Sequence, residues 1–176
     1  MKKLTLVLTD HWFEEIKSGR KTHEYRVCSE HWYKRLGEYE QHPERAAELT
    51  VRFQKAYRKN PERMTFAVKS VTICNGLHTD LHTDSDVFDI ELGEVQPKFA
   101  VGQAVFGIMK SVAEWYVTKT PLEIVLCYRQ DDSFCYIVTT PCSYPSFEYA
   151  FSENRLFQTK QEAAAEAERL NDIQPF

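Results

Sequence analysis

The sequence predicts an α+β chain, mostly β, in which a barrel is followed by a small β unit and a C-terminal helix. Three observations carry this. Short runs that alternate apolar and polar residues recur from Leu49 onwards, the period of half-buried strands. Helical apolar stripes are confined to residues 10–18, the segment after Ser29, and the C-terminus. Gln96-Pro97 marks a boundary midway, so two domains are expected, residues 1–96 and 97–176.

In chain order, Leu4, Leu6 and Leu8 alternate with Thr5, Val7 and Thr9 as a first strand. Asp10 stands at the N-cap of a two-turn helix with the stripe Trp12, Phe13 and Ile16, and Gly19 ends it. Lys21 to Val27 reads as a second strand. Ser29 caps a helix carrying Trp32, Tyr33 and Leu36, which Gly37 terminates, and Glu38 to Glu48 is polar helix or loop. Strands follow at Leu49–Phe53, Met64–Val68, Val71–Ile73 and Val87–Leu92. Asn60-Pro61 and Asn75-Gly76 mark turns, and Leu77 to Asp86 is a polar loop with the near-repeat His-Thr-Asp-Leu-His-Thr-Asp. The second domain shows strands at Ala104–Met109, Glu114–Val117, Glu123–Tyr128, Phe134–Thr139 and Phe147–Phe151. Thr159 and Glu162 form a capping box for a helix that continues through Ala163, Ala164, Ala165 and Leu170.

Composition narrows the class. At 176 residues, with 43% hydrophobic and 27% charged side chains, the chain can bury a core without a metal or disulfide staple. The longest apolar runs, such as Ile124 to Leu126, are too short to span a bilayer, so no membrane partner is expected. The apolar part of the N-terminus stops at Asp10, with Glu14 and Glu15 following, which does not fit a signal peptide. Cys28, Cys74, Cys127, Cys135 and Cys142 are odd in number and lack a Cys-x-x-Cys pair. They read as reduced thiols in a cytoplasmic protein.

Charge is unevenly spread along the chain. Residues 1–76 hold 15 Lys and Arg against 10 Asp and Glu, a net +5, and residues 77–176 hold 7 against 16, a net −9. Arg52, Lys55, Arg58, Lys59 and Arg63 crowd together with Phe53 and Tyr57 interleaved and only Glu62 opposing. Such a cluster is the footprint of a phosphate-binding surface, or a solvated strand and turn.

The decisive motif is G-x-K-x-x-E-x-R, formed by Gly19, Lys21, Glu24 and Arg26. Gly19 permits a tight helix-to-strand turn. Lys21 supplies a compact cation, and Arg26 a planar fork suited to phosphate or carboxylate. Glu24, between two cations, is expected to have a depressed pKa and stay ionised. It would act as a general base or as an ion-pair partner of Arg26. On a strand Thr22, Glu24 and Arg26 share one face, so Lys21 joins Glu24 only if the strand begins irregularly at the turn. On these residues alone, a buried ion-pair cluster pinning the barrel is the structural alternative to a ligand cleft.

With this motif, preceded by Trp12, Phe13 and Ile16 and followed by Trp32-Tyr33-x-Arg35-Leu36, residues 3–95 resemble the ASCH domain family, especially members encoded by phages and prophages. The likeness continues through Val51-x-Phe53-x-x-x-Tyr57-x-Lys59-Asn60-Pro61, Met64, Gly76 and Ile90-x-Leu92-Gly93. Gly is usual in that family where Ala56 stands. Phe99-x-Val101-Gly102 and Phe157-x-Thr159-Lys160-x-Glu162-Ala163 extend a weaker likeness into the second domain. The resemblance implies a PUA-like barrel whose motif lines an open cleft for RNA or a modified nucleoside or nucleotide. The candidate binding residues are Gly19, Lys21, Glu24, Arg26, Arg52, Lys55, Tyr57, Arg58 and Lys59, with Lys21 and Glu24 as candidate catalytic residues.

Some ASCH proteins are amidohydrolases of N4-acetylcytidine, with a motif resembling G-x-K-x-x-T-x-R. Here Glu24 stands where their nucleophilic Thr would be, and a carboxylate does not substitute for a positioned hydroxyl. Water activation by Glu24, with Lys21 stabilising an oxyanion, keeps a metal-independent hydrolase of RNA or an N-acylated nucleoside as the alternative. A third reading is an interaction protein whose acidic half, with Tyr144, Phe147, Glu148, Tyr149 and Phe151, docks on a basic host protein.

Weaker constellations add little. His78, Asp80, His82, Asp84 and Asp86 have the chemistry of divalent-metal ligands, but a solvated loop is the expectation and no metal is assigned. His11 and His31, each beside a Trp, have rings that can stack on a base, but lining a helix's edge is the expectation. Cys28, next to the basic strand, would be a nucleophile if a His lay nearby, but no family pattern supports that role. No Gly-rich phosphate loop, G-x-S-x-G or H-E-x-x-H is present, so the nucleotide-triphosphatase, α/β-hydrolase and zincin classes have no support, and no cofactor is assigned.

Overall fold

A computed structural model describes residues 2–58, 61–131, 133–141 and 147–173. Lys59, Asn60, Cys142 and Tyr144 therefore lie outside the described residues. The chain forms two compact units, Met1–Gln96 and Pro97–Phe176, and is mixed α+β with mostly strand.

The first unit contains β1 (Lys2–Leu8), α1 (Asp10–Lys17), β2 (His23–Val27), α2 (Glu30–Gln41), β3 (Leu49–Lys55), β4 (Arg63–Asn75) and β5 (Asp86–Gln96). One five-stranded sheet, in the order β1-β3-β4-β5-β2, curls into a half-barrel. β1 runs parallel to β3 and the other neighbours are antiparallel. The expected barrel is thus open, with β1 and β2 as its edges. Alternation explains what fills it. Leu4 and Leu6 lie opposite Val51 and Phe53, and these four side chains are buried with Phe13, Ile16, Leu36 and Tyr39.

Several boundaries differ from expectation. Thr9, not Asp10, caps α1, its hydroxyl accepting from the Trp12 N–H at 3.5 Å, so Asp10 lies in the first turn. There it favours the positive end of the helix dipole. Helix α2 does not stop at Gly37 but runs to Gln41, because Leu36 and Tyr39 on either side of that glycine are both buried. Tertiary burial outweighs the roughly 1 kcal/mol that a helical glycine costs. Residues expected as two strands, Met64–Val68 and Val71–Ile73, form the single β4, with register shifts between Phe66 and Ser70. Those shifts break the alternation that a sequence reader relies on.

Ala56 holds the left-handed conformation, φ 52°, which a Cβ makes unfavourable by roughly 1–2 kcal/mol. Glycine fits this β3–β4 turn better. Ala56→Gly should therefore stabilise the protein by about 0.5 kcal/mol after its larger unfolded-state entropy is counted, seen as a higher urea midpoint with unchanged slope.

The second unit contains β6 (Ala104–Lys110), β7 (Trp115–Val117), β8 (Leu122–Gln130), β9 (Ser133–Thr139), β10 (Glu148–Ser152), β11 (Leu156–Phe157) and α3 (Lys160–Ile173). Its sheet runs β10-β9-β8-β6-β11, with β7 paired to β6. The capping box forms in both directions at 3.2 Å, Thr159 N–H to Glu162 and Glu162 N–H to Thr159. Phe151 is buried, while Phe147 and Glu148 are exposed. No helix among the described residues is long and apolar enough to cross a membrane.

Counting charge by folded unit changes the electrostatic reading. Residues 1–96 hold 15 cations and 16 carboxylates, a net −1, and residues 97–176 hold 7 and 10, a net −3. The acidic loop before β5 and the acids of β5 belong to the first unit, so the apparent −9 half is not one body.

Candidate functional site

The helix-to-strand turn is what brings the motif together. Gly19 takes φ 76° just past α1, a left-handed conformation open to glycine without strain. The Lys21 N–H then donates to the Glu15 carbonyl at 3.0 Å. Strand pairing starts only at His23, so Lys21 is freed from strand alternation and reaches Glu24, with Nζ 3.8 Å from Oε2. The irregular start that the sequence required is present.

From His23 onward alternation governs. Glu24 lies opposite Ile90 and Arg26 opposite Phe88, both fully buried, so Glu24 is turned into the half-barrel. It is only 3% exposed. Arg26 pairs with Glu24 Oε1 and also donates to the Tyr25 carbonyl at 2.8 Å, and its guanidinium lies 5.6 Å from the centre of the Trp32 ring. Lys21 pairs with Asp80 as well as Glu24. Its ammonium lies over two aromatic rings, 4.9 Å from the Trp12 centroid and 4.8 Å from Tyr25. Each such cation–ring contact contributes about 0.5–2 kcal/mol according to its desolvation.

Burial reverses the expectation for Glu24. Its carboxyl is pushed above the usual carboxylate range, because desolvation outweighs the pull of Arg26 and Lys21, and the Asp80 charge adds to the push. The sequence shows the two cations but not the loss of water around the acid. Tyr25 is likewise pushed up to about 12, first by burial and then by Asp89 and Asp80, so it stays a neutral donor.

Trp12, Lys21, Glu24, Tyr25, Arg26 and Asp80 line a pocket of about 170 Å³ together with Val7, Leu8, Thr9 and Leu81. It lies where the two edge strands β1 and β2 leave the half-barrel open. Ligand pockets for drug-sized molecules are about 300–1,000 Å³, so this one suits a single ring or small polar group. With Glu24 ionised, two cations and two carboxylates cancel. Such a mixture of donors and acceptors between aromatic walls complements a base edge better than a phosphate.

The basic cluster is placed otherwise than expected. Lys55 pairs with Glu14 of α1 and lies 3.8 Å from Glu62, and Arg58 pairs with Asp10. Both are largely neutralised by the helix beside the pocket. Tyr57 is 90% exposed. Arg52 and Arg63 project from β3 and β4 without a carboxylate partner among the described residues.

Asp80, Trp12, Tyr25 and Trp32 are the site residues that motif reading missed. The signal for Asp80 lay in the His-Thr-Asp near-repeat, but nothing local says which acid folds back onto Lys21. The loop otherwise brings no three His, Cys, Asp or Glu side chains together among the described residues. His11 lies 4.7 Å from the Trp12 ring and His31 5.0 Å from Trp32. Burial raises the Cys28 thiol pKa, against a hydrogen bond with Tyr33, which disfavours a reactive thiolate. Comparison with family models, curated proteins and solved structures finds no match for this chain.

Proposed function

We propose that the first unit is an ASCH-type, PUA-like domain that binds RNA or a modified nucleoside in the pocket between β1 and β2. The observation that supports this most is that Lys21, with its ammonium over the Trp12 and Tyr25 rings, shares a pocket with Glu24, Arg26 and Asp80. Aromatic faces stack a base, and the surrounding donors and acceptors read its edge. Trp12→Ala should weaken binding of single-stranded RNA by about tenfold or more, the range of one lost stacking contact, and Lys21→Ala by a similar factor, the range of one lost hydrogen bond from a charged group. Fluorescence anisotropy of labelled RNA across a salt series measures this. Wild-type protein that binds no RNA at low salt would defeat the reading and favour a protein partner.

A second reading rests on the raised Glu24 pKa. A carboxyl that exchanges a proton nearer neutrality, beside the Lys21 ammonium, has the properties of a general acid–base pair for a hydrolase of RNA or an N-acylated nucleoside. Product analysis of the same RNA, and of an N-acylated cytidine, tests it. Conversion by wild type that is lost in Glu24→Gln supports hydrolysis, and unchanged substrate removes it.

A further inference from the structure

Most cations of the first unit are held by carboxylates, among them Lys17, Arg20, Lys34, Arg45 and Lys69. Lys2, Lys3, Arg35, Arg52 and Arg63 form no ion pair among the described residues. Three of the five share one face of the sheet. Register sets Lys3 opposite Thr50, Thr5 opposite Arg52, Arg52 opposite Thr65, and Gln54 opposite Arg63. Lys3, Arg52 and Arg63 therefore share the sheet face opposite Leu4, Leu6, Val51 and Phe53, with Thr5 exposed, Gln54 and Thr65 half-buried and Thr50 buried among them. Lys2, Lys3 and Arg35 also line a groove of about 380 Å³ at the start of β1.

The same strand leads to the pocket. Val7 and Leu8 at the far end of β1, with Thr9, line it. From Lys3 to Thr9 is about 20 Å at roughly 3.3 Å per residue, long enough for several phosphates of an extended single strand. We infer that the outward face of β1, β3 and β4 carries the phosphate backbone of a single-stranded nucleic acid whose base occupies the pocket. This rests on the binding function proposed above, and it assigns the two tasks separately. The pocket, with its cancelling charges, reads a base; the stripe of unneutralised cations holds the backbone. Lys55 and Arg58, already engaged by Glu14 and Asp10, contribute little. An acidic protein would also meet the cations, but it would have no use for a stacking pocket at the end of the stripe.

The test compares Lys3→Gln/Arg52→Gln/Arg63→Gln with Lys55→Gln/Arg58→Gln and Lys21→Ala, using labelled single-stranded RNAs of about 2–12 nucleotides. Thermal unfolding checks that each variant is folded. For wild type, affinity should rise with length over the first few nucleotides and then level off. The stripe variant should lose at least about tenfold in affinity, and its slope of log K against log salt should flatten by about 2, near 0.7 for each lost contact. Lys55→Gln/Arg58→Gln should keep the wild-type slope. A wild-type slope in the stripe variant, with binding lost in Lys21→Ala, would overturn the backbone path and leave the pocket reading standing. Equal loss in the two basic variants would overturn it too. Absence of RNA binding by wild type at low salt, or stripe-dependent binding of an acidic peptide instead, would defeat both inferences.

Discussion

Arg26→Ala should destabilise the protein by about 3 kcal/mol near neutral pH, the range for removing one partner from a buried ion pair. Glu24 would keep its burial and lose the cation that contacts Oε1, retaining only Lys21 at 3.8 Å. The loss should shrink in acid, and the direction follows from the carboxyl itself. Glu24 already titrates above its ordinary value of 4.5, so the folded state holds that proton more tightly than the unfolded state. Its contribution to stability is therefore fully present below that value and is lost as pH rises through the folded pKa. Without Arg26 the folded pKa rises further, so the ionised acid costs more at neutral pH while the protonated acid costs little. Urea unfolding near pH 4.5 and pH 7 should show the variant much closer to wild type in acid. Adding Glu24→Gln should remove most of this pH dependence. A pH-independent deficit in Arg26→Ala would mean that the guanidinium acts through packing on Trp32 and not through Glu24.

Gly76→Ala should cost about 2 kcal/mol, within the range for forcing extra atoms into a filled site. An added Cβ would meet the Thr83 methyl at 2.5 Å, the Ser85 carbonyl at 2.7 Å and the Thr83 carbonyl at 2.9 Å. Two of these are backbone atoms, so the loop from Gly76 to Asp86 must shift. That loop carries Asp80 to Lys21 and Leu81 to the pocket wall. Ligand affinity should therefore fall along with stability, whereas Ala56→Gly in the β3–β4 turn should raise stability and leave affinity unchanged. Calorimetric unfolding paired with the RNA titration separates the two effects. A Gly76→Ala protein that is as stable as wild type would show that the loop accommodates the methyl group.

Much of the local structure was legible because it depends on short-range periodicity. Alternating leucines announced β1, the stripe Trp12, Phe13 and Ile16 announced α1, and Thr159 with Glu162 announced the start of α3. Where tertiary contacts overrule local preference, the reading failed. Gly37 looked like a helix end until Leu36 and Tyr39 were both buried around it. The register shifts in β4 disguised one strand as two.

The candidate site divides the same way. Gly19, Lys21, Glu24 and Arg26 lie within eight residues of chain, so their types and order restrict what they can form together, and sequence by itself determined that a charged cluster follows α1. Only the folded structure decided its character. Asp80 arrives from a loop 59 residues away, and no local rule distinguishes it from Asp84 or Asp86. Glu24 is turned toward Ile90 by strand pairing, and the resulting loss of water raises a pKa that two neighbouring cations would otherwise lower. The basic run Arg52 to Arg63 is one cluster in sequence but separates in space. α1 brings carboxylates to Lys55 and Arg58, while Arg52 and Arg63 lie on the sheet face opposite Val51 and Phe53. The identity of a charge is local, but its solvation and its partners are set by surfaces that exist only after the sheet has curled.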